Sequence, residues 1–162
     1  MVAVDDDPNA PPHAPPGDDH STLCNTTDLQ QQLHEEVSNR RTERGLPSLE
    51  QSALLHNVAL YHSQDMANNS YFAHTGPNGE TLKQRYSSFD VSCEGGENIW
   101  LSTDVAAAND ESEMAKTIVD AWMNSPGHRE NLLNPRWRTE GFGIATGVIE
   151  GEESILVTQN FC

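Results

Sequence analysis

The sequence predicts an α-β-α sandwich, with helices on both sides of a small, mainly antiparallel central sheet. Three observations carry that expectation. Four segments repeat apolar residues at helical spacing. Near the C-terminus, two apolar runs, Gly141 to Ile149 and Ser154 to Phe161, are joined by Glu-Gly-Glu-Glu and read as a hairpin. Neither run alternates cleanly between apolar and polar residues, which suits a sheet covered on both faces.

Residues 1–22 are rich in Pro and Asp and nearly free of apolar side chains, so they read as a flexible arm ahead of a folded domain over 23–162. His13 and His20 fall in that arm and read as solvated. The first helix is expected from Thr27 to Arg44. Thr27-x-x-Gln30 resembles a capping box, Leu29, Leu33 and Val37 share a face, and Gly45 stops it. Ser48-x-x-Gln51 is expected to open the second helix, whose buried stripe is Leu54, Leu55, Val58, Ala59 and Met66. His56 and His62 on that helix read as structural histidines, with His62 able to point at a site.

Asn68 to Gly79 is a loop holding His74 between an aromatic pair and two turn signals. Thr81-x-x-Gln84 caps a short third helix ending near Tyr86. After a polar connection with Cys93, Gly95-Gly96 permit close backbone approach where Glu97-Asn98-Ile99-Trp100 begin a strand. Residues 102–112 read as a surface loop. A fourth helix from Glu111 to Asn124 presents Met114, Ile118, Val119 and Trp122. Ser125 then reads as an N-cap with Pro126 at the first helical position, so His128 opens another short helix at a tight corner.

The 162 residues suit one domain. Twenty-five acidic against nine basic residues give a net charge of −16, which repels nucleic acid and anionic membranes and excludes both as default partners. Carboxylates spread along the whole chain, with Lys83 and Lys116 the only lysines, favour a chain kept soluble at high salt, as in a halophile. No apolar run approaches membrane-spanning length. No secretion leader is visible either, so export implies that the leader is already missing. Cys24, Cys93 and Cys162 allow one disulfide and one spare thiol; their spacing fits neither a metal finger nor a CxxC pair and suits an oxidising, extracellular setting. Asn25 and Asn68 head N-glycosylation triplets, in keeping with export.

His74, Glu97 and His128 stand out for chemistry, each beside a Gly or Pro turn rather than within an apolar stripe. Two imidazoles and a carboxylate suit a divalent metal such as zinc, completed by water, and equally suit general acid–base work. No two of them lie within one helical turn, so spacing alone does not gather them, and the same residue types also serve as structural hydrogen-bonding groups. Ser70 and Ser125 lack a nucleophile elbow, Cys93 lacks a basic setting, and no phosphate loop is present.

Together, NRRTERGLPSL, YFAHTGPNG, GGENIW, AWMNSPGHRENLLNP, GFGIA and VTQNF, in that order over residues 27–162, resemble the CAP superfamily, shared by cysteine-rich secretory proteins, antigen 5 and pathogenesis-related 1 proteins. The short prokaryotic branch is the nearer likeness. The resemblance implies an α-β-α sandwich, secretion or surface exposure, and a central cleft with two histidines and two acids. His74 matches the first histidine, Glu97 the acid of the GEN motif, and His128 the histidine of the GHR motif. The fourth position departs: three residues after Trp122 stands Ser125, leaving room for water or an external ligand. Asn98, Ser125 and Gln159 are expected to orient the site.

Three functions follow from the resemblance. The first is a monomeric secreted module binding a divalent metal, a small apolar ligand such as a lipid, or a cell-envelope ligand. The second is a zinc-assisted hydrolase with Glu97 as base, and the third a non-catalytic adhesion domain. Whether it is an enzyme stays open. Of the disulfide pairings, Cys24 to Cys93 is preferred over Cys93 to Cys162.

Overall fold

A computed structural model describes residues 26–162. The expected N-terminal arm, Cys24 and Asn25 lie outside the described residues. The elements, in order, are α1 (Thr26–Thr42), β1 (Glu50–Gln51), α2 (Ala53–Asn68), α3 (Leu82–Ser88), β2 (Gly96–Ser102), a 3-10 turn (Val105–Asn109), α4 (Glu111–Met123), α5 (Pro126–Leu132), β3 (Thr139–Ile149) and β4 (Glu152–Phe161). The sheet order is β1-β3-β4-β2, with β1 parallel to β3 and the other pairs antiparallel. The α-β-α sandwich is therefore the fold.

Strand periodicity assigns the two faces. Phe142, Ile144, Ile155, Val157 and Phe161 share one face and pack against Leu29, Leu33 and Val37 of α1 and Met114, Ile118, Val119 and Trp122 of α4. The opposite face carries α2 at unusually close range. Gly141, Gly143 and Gly147 leave the β3 backbone bare there, and a Cβ on Gly143 would collide with the backbone of Ala59 and Leu60. Both faces are covered, which explains why neither strand alternates in sequence.

Local signals placed several ends correctly. Leu46 N donates to Arg41 O and Gly45 N to Thr42 O, with Gly45 at φ +74°, the paired bonds that close a helix through a left-handed glycine. Thr81 and Gln84 form the reciprocal capping box of α3. The β3–β4 turn is tighter than four residues: Ile149 pairs with Glu152, and Glu150 and Gly151 both have positive φ, the pattern of a two-residue I′ turn.

Other ends differ. Thr27 lies inside the first turn of α1 rather than capping it. The N-cap of α2 is Ser52, whose hydroxyl accepts from Leu55 N, not Ser48. Glu50 and Gln51 are drawn out of the expected helix by pairing with Thr139 and Glu140, and Leu54 turns outward, 42% exposed. The segment 102–112 contains the 3-10 turn, begun by Asp104 accepting from Ala107 N. The disulfide joins Cys93 to Cys162, with Cα atoms 5.8 Å apart. The antiparallel β2–β4 pairing sets Gly96 opposite Phe161 and brings the last residue beside the β2 entry, which overturns the preference for Cys24.

Gly143→Ala is expected to destabilise the fold by about 1–3 kcal/mol, because helix backbone, unlike a flexible side chain, cannot move aside. Urea unfolding of parent and variant measures it.

Candidate functional site

β2 is an edge strand, and its consecutive residues Glu97 and Asn98 point to opposite faces. Glu97 faces the α2 side, where its carboxylate is 2% exposed. Its Oε1 accepts from His74 Nδ1 at 2.8 Å; Oε2 accepts from Arg85 Nη2 at 2.8 Å and from Asn160 Nδ2 at 3.1 Å. Arg85, fully buried on α3, also donates from Nη1 to the His74 carbonyl at 3.0 Å. One guanidinium thus fixes both the loop that carries His74 and the carboxylate that orients its ring. Burial alone would raise the Glu97 carboxyl, but the His74 hydrogen bond, the neighbouring His62 and Arg85 outweigh it and hold it below the usual carboxylate range. An ionised carboxylate accepts only, so His74 donates from Nδ1 and leaves Nε2 open.

His62 lies beside this group. Its Nε2 donates to the Ala73 carbonyl at 3.0 Å and is 3.7 Å from Glu97 Oε1. Burial pushes the imidazole down to about 4, so it is neutral at pH 7.

Asn98 serves the other side. Its Nδ2 donates to the His128 carbonyl and to Gln159 Oε1, each at 3.3 Å. Asn131 Nδ2, on α5, donates to Asn98 Oδ1 at 2.9 Å and to the Glu97 carbonyl at 3.0 Å, clasping α5 to the strand. Ser125 occupies the N-cap position with Pro126 after it, yet its hydroxyl makes no cap bond. It meets His128 Nδ1 at 2.9 Å instead. Burial, and then the charge of His74, push the His128 imidazole down. The His74 ring is more than half exposed and the His128 ring half-buried.

Sequence reasoning passed over Arg85, Asn131 and Asn160, and read His62 as structural with an option on the site. The glycine signal was sound: Gly95, at φ +66°, crosses the Tyr86 ring, where a Cβ would collide.

The donor set bears on metal binding. Both oxygens of Glu97 are engaged, and the described residues contain no group of three or more His, Cys, Asp or Glu placed to hold an ion. The His74 and His128 imidazoles are donors of a type that divalent metals accept, and Glu97 orients the first of them.

A sandwich of this kind, with one imidazole on each side of its edge strand and a buried glutamate beneath one of them, defines a CAP-type domain. The family model described as CAP, cysteine-rich secretory protein family, matches residues 34–161, and the chain belongs to that family. It is 33% identical over 122 residues to the Bacillus subtilis (strain 168) protein YkwD, covering 75% of this chain and 42% of that protein. Among solved structures it resembles an extracellular protein containing an SCP domain from Bacillus anthracis, with 31% identity, a TM-score of 0.63, and coverage of 83% of this chain and 40% of that one. An outer surface protein of Borrelia burgdorferi shares the fold at 23% identity and TM-score 0.67, over 86% of this chain and 96% of its own. The chain thus spans less than half the length of the two Bacillus proteins. No helix among the described residues is long and apolar enough to cross a membrane.

The His62 shift has a direction in pH. Below about 6.5 the unfolded chain takes up a proton that folded His62 refuses down to about 4, so stability drains away as acid is added across that window. The stability of the parent relative to His62→Gln should fall by on the order of 3 kcal/mol between pH 7 and pH 4. Urea titrations at both pH values measure it, and a constant difference would refute the assignment.

Proposed function

We propose that this domain acts outside the cytoplasm as a binding module that takes a divalent cation, zinc foremost, between His74 and His128. One observation carries the reading. Each ring is engaged at Nδ1, by Glu97 and by Ser125, which leaves Nε2 as the nitrogen for a ligand. Two imidazole nitrogens left this way are available to an ion. The bound ion would supply an anchor for an oxygen or anionic group of a small cell-envelope ligand, with apolar parts of that ligand lying along the cleft.

The Cys93–Cys162 disulfide suits an oxidising compartment, and the extracellular SCP-domain relative supports the same location. The charge of −16 suits a monomer in a salt-rich medium and opposes nucleic acid as a partner.

A hydrolase reading needs Glu97 as a base toward water. Its carboxylate is buried, held ionised, and satisfied by Arg85, Asn160 and His74. A base already engaged in three hydrogen bonds and an ion pair is poorly placed to take a proton from water, so binding is favoured over catalysis.

Calorimetric titration of the parent with zinc should show saturable binding near one ion per chain, lost in His74→Ala and in His128→Ala while circular dichroism stays unchanged. Absence of saturable binding in the parent, or equal binding by the double variant, would refute the metal site. Zinc-dependent ester or peptide hydrolysis abolished by Glu97→Gln would instead favour the enzyme.

A further inference from the structure

Glu97 is not the only buried carboxylate. Glu140 of β3 is fully enclosed on the opposite face of the sheet. Its Oε1 lies 2.7 Å from His34 Nδ1 on α1, and its Oε2 accepts from Gln159 Nε2 at 2.7 Å. From Gln159 the contacts run on through Asn98 to Asn131 and to the His128 carbonyl. Glu140, Gln159 and Asn98 sit on three adjacent strands, so the row crosses the sheet from β3 to the edge strand that forms the cleft.

The row has a direction. Asn131 donates to Asn98, Asn98 to Gln159, and Gln159 to Glu140. An amide can point either way, whereas an ionised carboxylate only accepts. The Glu140 carboxylate sets the orientation of Gln159, since a reversed Gln159 would turn its carbonyl oxygen against a buried anion, and the same direction is kept along the row by the His128 and Glu97 carbonyls, which accept from Asn98 and Asn131. Packing does not require the charge: a carboxylate beside Phe142 and Phe161 costs several kcal/mol to bury, and an apolar side chain would fill the space without that cost.

We propose that Glu140 is a positioning residue for His128, acting through Gln159, Asn98 and Asn131, and that protonation of the His34–Glu140 pair alters how α5 sits on β2.

The surroundings agree. From α1, Glu140 meets His34 and feels Arg41, while Glu35 acts on His34. β4 contributes only the neutral Gln159, and the β1–α2 junction only the Ser52 amide, which binds the Glu140 carbonyl. Arg41 turns its guanidinium to the carbonyls of Pro47, Leu132 and Asn134, holding the far end of α5. The helix bearing His128 thus meets the amide row at His128 and Asn131, and meets Arg41, whose charge Glu140 feels, at Leu132. Burial pushes the Glu140 carboxyl up, against the pull of His34 and Gln159, and the Glu140 hydrogen bond raises His34 despite its burial. Both groups thus hold a proton to higher pH than they would when free.

The inference rests on the cleft reading only for what His128 does once placed, so it is tested without metal. In nitrogen-15-labelled protein, the side-chain amide signals of Asn98 and Asn131 are followed from about pH 5 to about pH 9 together with the His34 ring. They are expected to share an inflection with His34. In Glu140→Gln the inflection should vanish while the signals at neutral pH stay near the parent's, because the new amide can still accept from Gln159 and donate to neutral His34. In Glu140→Met the Asn98, Asn131 and His128 signals should shift at every pH, with zinc affinity reduced about tenfold.

His34→Phe, at a side chain 18% exposed and with its folding checked by circular dichroism, must also remove the inflection. Its persistence there, its absence from the parent, or unmoved signals in a folded Glu140→Met protein would overturn the proposal. Because the signals are read on the metal-free chain, loss of zinc binding alone would refute the cleft reading and leave this one standing.

Discussion

The contact on which the cleft depends is the buried ion pair between Glu97 and Arg85. Drying a carboxylate costs several kcal/mol, and a lone partner seldom offsets it. Here the offset is shared: Arg85 and Asn160 take one oxygen and His74 the other. Arg85 also grips the His74 carbonyl, so the loop before α3 is held at His74 by charge and hydrogen bonds. An exposed, irregular segment thereby presents an imidazole in one tautomer, which a loop of its composition could not do unaided.

That ion pair in turn needs the geometry of the sheet. Three glycines in β3 let α2 lie directly on strand backbone, which brings His62 within 3.7 Å of Glu97 and closes the pocket around it. The edge position of β2 leaves one side of the strand free for α5, and the alternation of Glu97 and Asn98 gives the His74 imidazole to the first and the His128 carbonyl to the second. The Cys93–Cys162 link closes the same corner covalently, just ahead of the residues that carry the site.

What could be read in the sequence was local or carried by motif. The capping box at Thr81, the stop at Gly45 and the stripe of α4 involve neighbours in the chain, so periodicity and capping chemistry suffice. The start of α2 could not be read that way, because Glu50 and Gln51 are claimed by strand residues almost ninety positions later. The same shift carried Leu54 out of the stripe. His74, Glu97 and His128 were visible by residue type and setting, but only the edge strand brings them to one corner. Arg85 was invisible for a physical reason: an arginine on a short helix ordinarily faces water, and nothing near it in sequence announces the carboxylate twelve residues on. Asn160 and Asn131 act through strand register and helix docking, which no local pattern encodes.

The two buried carboxylates divide the work by the nature of their partners. Glu97 is matched to arginine, a cation that keeps its proton at any physiological pH, so the His74 side of the cleft has a fixed anchor. Glu140 is matched to histidine, which titrates in the neutral range, and its contacts reach the His128 side through amides that have no charge of their own. A carboxylate paired with arginine stiffens what it touches, whereas one paired with histidine can pass a change in protonation along any chain of amides whose direction it sets. The residues of this fold place one of each on opposite faces of the same sheet, and the two networks meet at the paired dipeptides Glu97-Asn98 of β2 and Gln159-Asn160 of β4.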